Sequence, residues 1–294
     1  MTRSAATADI AGLRARSVEV IRAGQAPTGA YLACPAFAPY RYSWFRDGAW
    51  IAEATSAAGE RDSADAFFAW CADVVLARRA RVEAGGDLDT RYTADGREGE
   101  EEWQSFQLDG FGLVLWALAR HEERHGAAPP RVREAAEVLR AYLVRSWRRP
   151  CSDWWEEREG LHAVTLACIA AGLRAAGEGE AERVEAAIRS DADLRLDASL
   201  LAASAPLEVL APDEVPLAEI ERRLVSPGGG PQRSTHSSYR SGWRRWSCDC
   251  SGSAPSGVAW AAIQSRRERA ASTRPSRSSC RPRNAVRRSH SPPP

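Results

Sequence analysis

The stretch Cys151-Ser-Asp-Trp-Trp-Glu-Glu-Arg158 sets two adjacent carboxylates, Glu156 and Glu157, against two tryptophans. Indole faces strip water from a carboxyl group, disfavour its charged form and keep it protonated near neutral pH, the state a general acid needs. An indole also offers the flat face on which a pyranose ring stacks. The combination suits acid catalysis on a sugar. The same residues also fit an ordinary helix start, with Asp153 as N-cap, acids in the first turn and the indoles in the core.

Three further stretches pair an acid with aromatic or hydroxyl neighbours: Tyr40 to Trp50 (YRYSWFRDGAW), Trp103 to Gly110 (WQSFQLDG) and Asp197-Ala-Ser199. Each falls in a loop just ahead of a helical pattern. Any one alone reads as capping. Helix N-termini gathered at one end of a bundle would bring all four to one pocket.

The elements that must do this gathering are helices. Apolar residues recur at three- and four-residue spacing over Ile10 to Ala23, Ala49 to Ala58, Asp62 to Glu83, Phe106 to His125, Arg131 to Trp147, His162 to Ala176, Glu180 to Arg189 and Leu217 to Val225,. Asp197 to Ala203 predicts a ninth helix. Gly126-Ala-Ala-Pro-Pro130 and Gly177-Glu-Gly-Glu180 punctuate the series,. No alternating run exceeds four or five residues, so the class is all-α, with antiparallel helices on short connections.

Composition bounds the rest. The 294 residues are 44% hydrophobic, enough for one large domain or two small ones,. No apolar run approaches the ~18 residues of a membrane span, and Met1 to Arg16 lacks the apolar centre of a secretory signal. Seven scattered cysteines, without metal-ligand spacing, predict free thiols in a reducing cytoplasm, with Cys71 and Cys168 buried on helices,. All 40 basic residues are arginine.

The net charge of +1 conceals two unlike parts. Residues 231–294 hold 13 Arg against two acids, with 15 Ser, 7 Pro and no Leu, whereas residues 1–230 hold 27 Arg against 37 acids. The later segment has too little apolar surface to offset its ordering entropy, which predicts disorder. An Arg-rich tail can meet phosphates nonspecifically, but no folded reader module accompanies it and no specific nucleic-acid partner is expected. Its composition matches a Leu-, Ala- and Val-rich helical protein in G/C-rich codons read one base out of register.

Trp44-Phe-Arg-Asp-Gly-Ala-Trp50, Gln107-Leu-Asp-Gly110, Asp153-Trp-Trp-Glu-Glu157 followed by Thr165 and Ala171-Gly-Leu173, and Asp197-Ala-Ser-Leu200 occur in that order. Together they resemble the catalytic domain of glycoside hydrolase family 15, which includes glucoamylases, glucodextranases and some bacterial trehalases. The resemblance spans residues 27 to about 230. It implies an (α/α)6 barrel, six inner helices ringed by six outer ones, with the active site in the loops at one end. Eight or nine predicted helices fall short of twelve, so the barrel is expected to be incomplete at its C-terminus. The short stretch before Tyr40 leads to the expectation that no β-sandwich domain precedes the barrel.

By position, the resemblance makes Glu156 the general acid and Glu157 the carboxylate holding sugar hydroxyls at the adjacent subsite. Arg46 and Asp47 match the pair that grips the terminal glucose, and Tyr40 and Trp44 the aromatic wall beneath it. Gln107, Asp109 and Trp155 line the pocket. Asp47 and Asp197 could also be plain helix caps. The family inverts the anomeric centre, which needs a second carboxylate about 6.5–9.5 Å from the acid. That base is a glutamate in the family's C-terminal third, and here the only acids after residue 230 are Asp249 and Glu268, in an unlike context. The expectation is a glycoside hydrolase for α-glucosidic bonds, weak or inactive for want of its base, with an α-glucoside as partner, no metal and no organic cofactor. The alternative is a non-catalytic glucose- or oligosaccharide-binding or regulatory protein on the same barrel.

Overall fold

The computed structural model of the protein describes residues 10–192, 195–225 and 232. The expected boundary at residue 230 and, apart from Gln232, the Arg-rich segment 231–294 lie outside the described residues.

Among those described, ten α-helices carry the fold: α1 (Ile10–Gly24), α2 (Phe45–Ala58), α3 (Arg61–Leu76), α4 (Arg79–Glu83), α5 (Asp109–His125), α6 (Pro130–Ser146), α7 (Ala163–Ala175), α8 (Glu180–Ser190), α9 (Leu200–Ser204) and α10 (Leu217–Leu224). Two antiparallel pairs of two-residue strands accompany them: β1 (Ser43–Trp44) with β2 (Arg91–Tyr92), and β3 (Cys151–Ser152) with β4 (Glu159–Gly160).

Which helices go inside follows from their sequences. Helix α5 is buried at every position from Asp109 to Leu118, and α7 at every position from Ala163 to Leu173. A helix buried all round belongs in a core. By contrast α8 buries only Ala181, Val184, Ala187 and Ile188, an i, i+3, i+6, i+7 stripe laid against α7. Helix α5 lies between α2 and α7, α9 follows on α7, and α3, α6 and α8 cover them from outside. The result is a two-layered, all-α arrangement of the (α/α)6 barrel type.

Close approach of the inner helices depends on glycine. A Cβ on Gly112 would fall against the Cys168 carbonyl oxygen, and one on Gly172 against the carbonyl of Gly112, well inside van der Waals contact. At the helix starts, a Cβ on Gly110 would lie 2.7 Å from the Arg46 backbone nitrogen. The first turns of α2 and α5 therefore touch backbone to backbone. Helix α2 sends the Arg46 side chain to the site, and α5 sends that of Asp109.

Several boundaries differ from the sequence reading. Helix α2 begins at Phe45, so Arg46 and Asp47 sit in its first turn instead of a preceding loop. Asp47 lies past the cap position, which Trp44 holds. The long helix over 62–83 breaks at Ala77–Arg78 into α3 and α4. Helix α5 starts three residues later than Phe106, because Gln107 turns inward to serve side chains. Residues 153–158 do not start a helix: Asp153 N–H donates to the Arg158 carbonyl at 2.8 Å, closing a hairpin loop between β3 and β4.

The expected free thiols are present at Cys34, Cys71, Cys151 and Cys168, with Cys71 and Cys168 buried on α3 and α7. No helix among the described residues is long and apolar enough to cross a membrane.

Candidate active site

The loop 153–158 is built around one carboxylate. Asp153 Oδ1 accepts from the backbone N–H groups of Glu157 at 2.7 Å and Arg158 at 3.3 Å, and the Asp153 carbonyl accepts from Glu156 N–H at 2.9 Å. This tight turn forces Glu156 to φ 61°. A non-glycine residue in the left-handed region costs about 1–2 kcal/mol. The conformation aims the Glu156 side chain at α2 and α5.

Three donors meet it there. Glu156 Oε1 accepts from Trp44 Nε1 at 2.9 Å, Gln107 Nε2 at 2.9 Å and Arg46 Nη2 at 3.3 Å. Among the described residues its other oxygen, Oε2, accepts none. The Glu156 side chain is 17% exposed.

Arg46 is the hub. Its Nη1 donates to Gln107 Oε1 at 2.7 Å and Asp109 Oδ2 at 3.1 Å, and its Nε stands 3.7 Å from Asp47 Oδ2. Burial works against its charge, but Asp109, Asp47 and Glu156 outweigh burial and hold the guanidinium firmly protonated. Asp109 is fully enclosed, whereas Asp47 keeps 32% of its side chain open, surface by which a ligand could reach it. Crowding by protein pushes the Asp47 carboxyl up from its ordinary range; Arg46 opposes this, while Glu156 and Asp109 add to it. One cation thus faces three carboxylates, and the excess negative charge suits a neutral polyhydroxy ligand better than an anionic one.

Aromatic rings wall the site. Tyr40 and Trp44 are tilted at 5.7 Å between centroids, and Trp44 meets Trp103 edge-on at 5.8 Å. Trp155, on the 153–158 loop, donates its indole N–H to Asp197, 2.9 Å from either carboxylate oxygen. Burial pushes the Asp197 carboxyl up, against the hydrogen bonds from Ser199 and Trp155. Asp197 also accepts from Ser199 N–H at 2.7 Å, so it turns the chain into α9 and anchors Trp155 at once.

Of the residues expected from sequence, Trp44, Arg46, Asp47, Gln107, Asp109 and Glu156 form one connected cluster. Tyr40 reaches it through the Trp44 ring, Trp155 and Glu157 through the loop they share with Glu156. The sequence reading assigned no role to Arg91, Tyr42 or Trp103, which pack around Trp44. Their signal was present in part: Trp103 lay in a noted acid-aromatic stretch, but the two-residue strand pairing that brings Arg91 opposite Trp44 is too short to read from periodicity. Among the described residues no group of three or more His, Cys, Asp or Glu side chains is arranged to hold a metal ion.

The profile of glycosyl hydrolases family 15 matches residues 15–204, which contain this whole cluster. The chain belongs to that family. It is 42% identical over 180 residues to an isomaltose glucohydrolase of Kribbella flavida, covering 56% of this chain and 47% of that protein. A trehalase of Thermoplasma acidophilum is 25% identical over 133 residues, covering 40% of this chain and 23% of the relative. A wild-type glycosidase structure superposes with a TM-score of 0.69 at 34% identity, over 76% of this chain and 71% of that one. A variant glycosidase in complex with glucose gives 0.68 at 33%, with the same coverage. A glucoamylase from Saccharomycopsis fibuligera, at 14% identity and a TM-score of 0.54, shares the fold over 70% of this chain and 63% of its own. This family 15 chain spans less than half the length of the curated relatives it matches.

Proposed function

We propose that the cluster around Arg46 binds the terminal glucose of an α-glucoside and that Glu156 is the general acid of an inverting hydrolysis. The observation that carries this reading is the set of three N–H donors on Glu156 Oε1. They hold the carboxyl group in one orientation and leave Oε2 as the oxygen through which Glu156 would pass a proton to the glycosidic oxygen. The fork of Arg46 and the acceptor-only carboxylate of Asp47 suit adjacent sugar hydroxyls. Tyr40 and Trp44 would support the ring face, with Trp155 and Glu157 meeting the next sugar.

Inversion needs a second carboxylate to activate water on the opposite face of the sugar. In this reading it belongs to the C-terminal third, where Asp249 and Glu268 lie outside the described residues. A missing positioned base costs about 10²–10⁴ in rate. The chain is therefore proposed to bind its glucoside well and hydrolyse it slowly. Isomaltose is the first substrate to try, since the isomaltose glucohydrolase matches with higher identity than the trehalase.

Calorimetric titration with isomaltose, maltose and trehalose, set beside glucose release, tests the reading. Binding with slow turnover that Glu156→Gln abolishes supports an enzyme. Binding without any turnover favours the second reading, a sugar-binding or regulatory protein, which an Arg46 cluster assembled without a partnering base would fit. No binding to any of the three sugars sinks both.

A further inference from the structure

Opposite Trp44 in the β1–β2 pairing stands Arg91. Its guanidinium lies 4.2 Å from the centroid of the Tyr42 ring, 4.0 Å from that of Trp103 and 5.4 Å from that of Trp44, with its side chain only 3% exposed. Its polar contacts are long, 3.5 Å to the Pro39 carbonyl and 3.5 Å to Glu101 Oε2. Three aromatic rings therefore make up most of its surroundings, and stacking of this kind strengthens as water is excluded. Glu101 Oε2 accepts from the Tyr42 hydroxyl as well, closing the stack on its solvent side.

The rings it touches belong to the site. Trp44 gives its indole N–H to Glu156. Trp103 stands in the irregular segment between β2 and α5, and its indole nitrogen has no hydrogen-bond partner among the described residues. Ring packing against Trp44 and Arg91 must then set its orientation.

We propose that Arg91 is a positioning residue of the candidate site: wedged among Tyr42, Trp44 and Trp103, it fixes the indole that holds Glu156 and the Trp103 face beside it. For its consequence on ligands the proposal rests on the glucoside-binding reading above. A planar guanidinium can stack on several rings at once, which a compact ammonium cannot. Lysine should therefore replace it only in part.

The test uses the full chain and two readouts. In near-ultraviolet circular dichroism, the contribution of the coupled Trp44–Trp103 pair is the part of the spectrum lost in Trp103→Phe. Arg91→Met should abolish that contribution, Arg91→Lys should retain a fraction of it, and isomaltose affinity should fall about tenfold in Arg91→Met, measured well below the variant's thermal midpoint. An unchanged contribution or an unchanged affinity in Arg91→Met overturns the proposal. Should Arg91→Met fail to fold, Arg91→Lys decides, since it keeps the charge and loses the planar stack; it should weaken both signals, and no change in either overturns the proposal. Should the parent chain bind no isomaltose, the glucoside reading fails by itself, and the spectral comparison still decides the role of Arg91.

Discussion

Arg46 faces Asp47, Asp109 and Glu156 from a side chain only 9% exposed, so its removal strands carboxylates in a dry place. Removing one partner of a buried ion pair costs about 3–5 kcal/mol because the other charge is left uncompensated. Arg46→Leu should lower the unfolding free energy by about that much at pH 7, read from the urea midpoint, and a loss under about 1 kcal/mol would show that solvent reaches the cluster. Asp197 gives a pH signature. Its carboxyl is pushed up by burial, so between the ordinary aspartate value near ~3.9 and the higher folded value, the native state keeps a proton the unfolded chain has lost. Stability from this group is complete below that window, falls as pH rises through it, and is flat above. Asp197→Asn keeps an acceptor for Trp155 and should remove this decline from the pH dependence of the thermal midpoint. An identical slope in the variant would assign the decline to another carboxyl.

Between residues and fold stand the helix starts, and their convergence depends on the contact between Gly112 of α5 and Gly172 of α7. Overpacking a core typically costs about 1–3 kcal/mol. Gly112→Ala should cost at least that, because the intruding methyl meets backbone, which cannot rotate away. It should also weaken sugar binding, since Asp109 begins the displaced helix; lost stability with unchanged affinity would mean that α7 yields instead of α5. Much of this element scale was legible in the sequence. Periodicity located α5, α6, α7 and α8 within a few residues, and the acid-aromatic stretches foretold Trp44, Arg46, Gln107, Asp109 and Glu156 in one cluster. The loop at 153–158 was ambiguous because Asp followed by Trp-Trp-Glu-Glu satisfies the rules for a helix start equally well. Only the pairing of β3 with β4 across the loop, in two-residue strands too short to show a periodicity, selects the turn. Arg91 was hidden by separation along the chain: its partners are 49 and 12 residues away, at Tyr42 and Trp103.

At the scale of the whole molecule, α2, α5, α7 and the short α9 succeed one another round the inner layer among the described residues. Residues 231–294 are poor helix-bundle material by composition, with no Leu and only Val258, Ile263 and Val286 as branched aliphatics. Arg and Ser make up 28 of these 64 residues instead, a composition that a helical, G/C-rich gene would yield if read one base out of register. Sequencing the DNA across the codons for residues 220–294 should therefore reveal a second frame with three- and four-residue apolar periodicity and a glutamate to serve as base. A chain restored to that frame should gain about 10²–10⁴ in the rate of glucose release, while its isomaltose affinity changes little, because Arg46, Asp47 and Glu156 are already assembled. Early stops in both other frames would make the tail genuine, and the protein would then be pursued as a sugar-binding derivative that keeps the acid and the grip without the base.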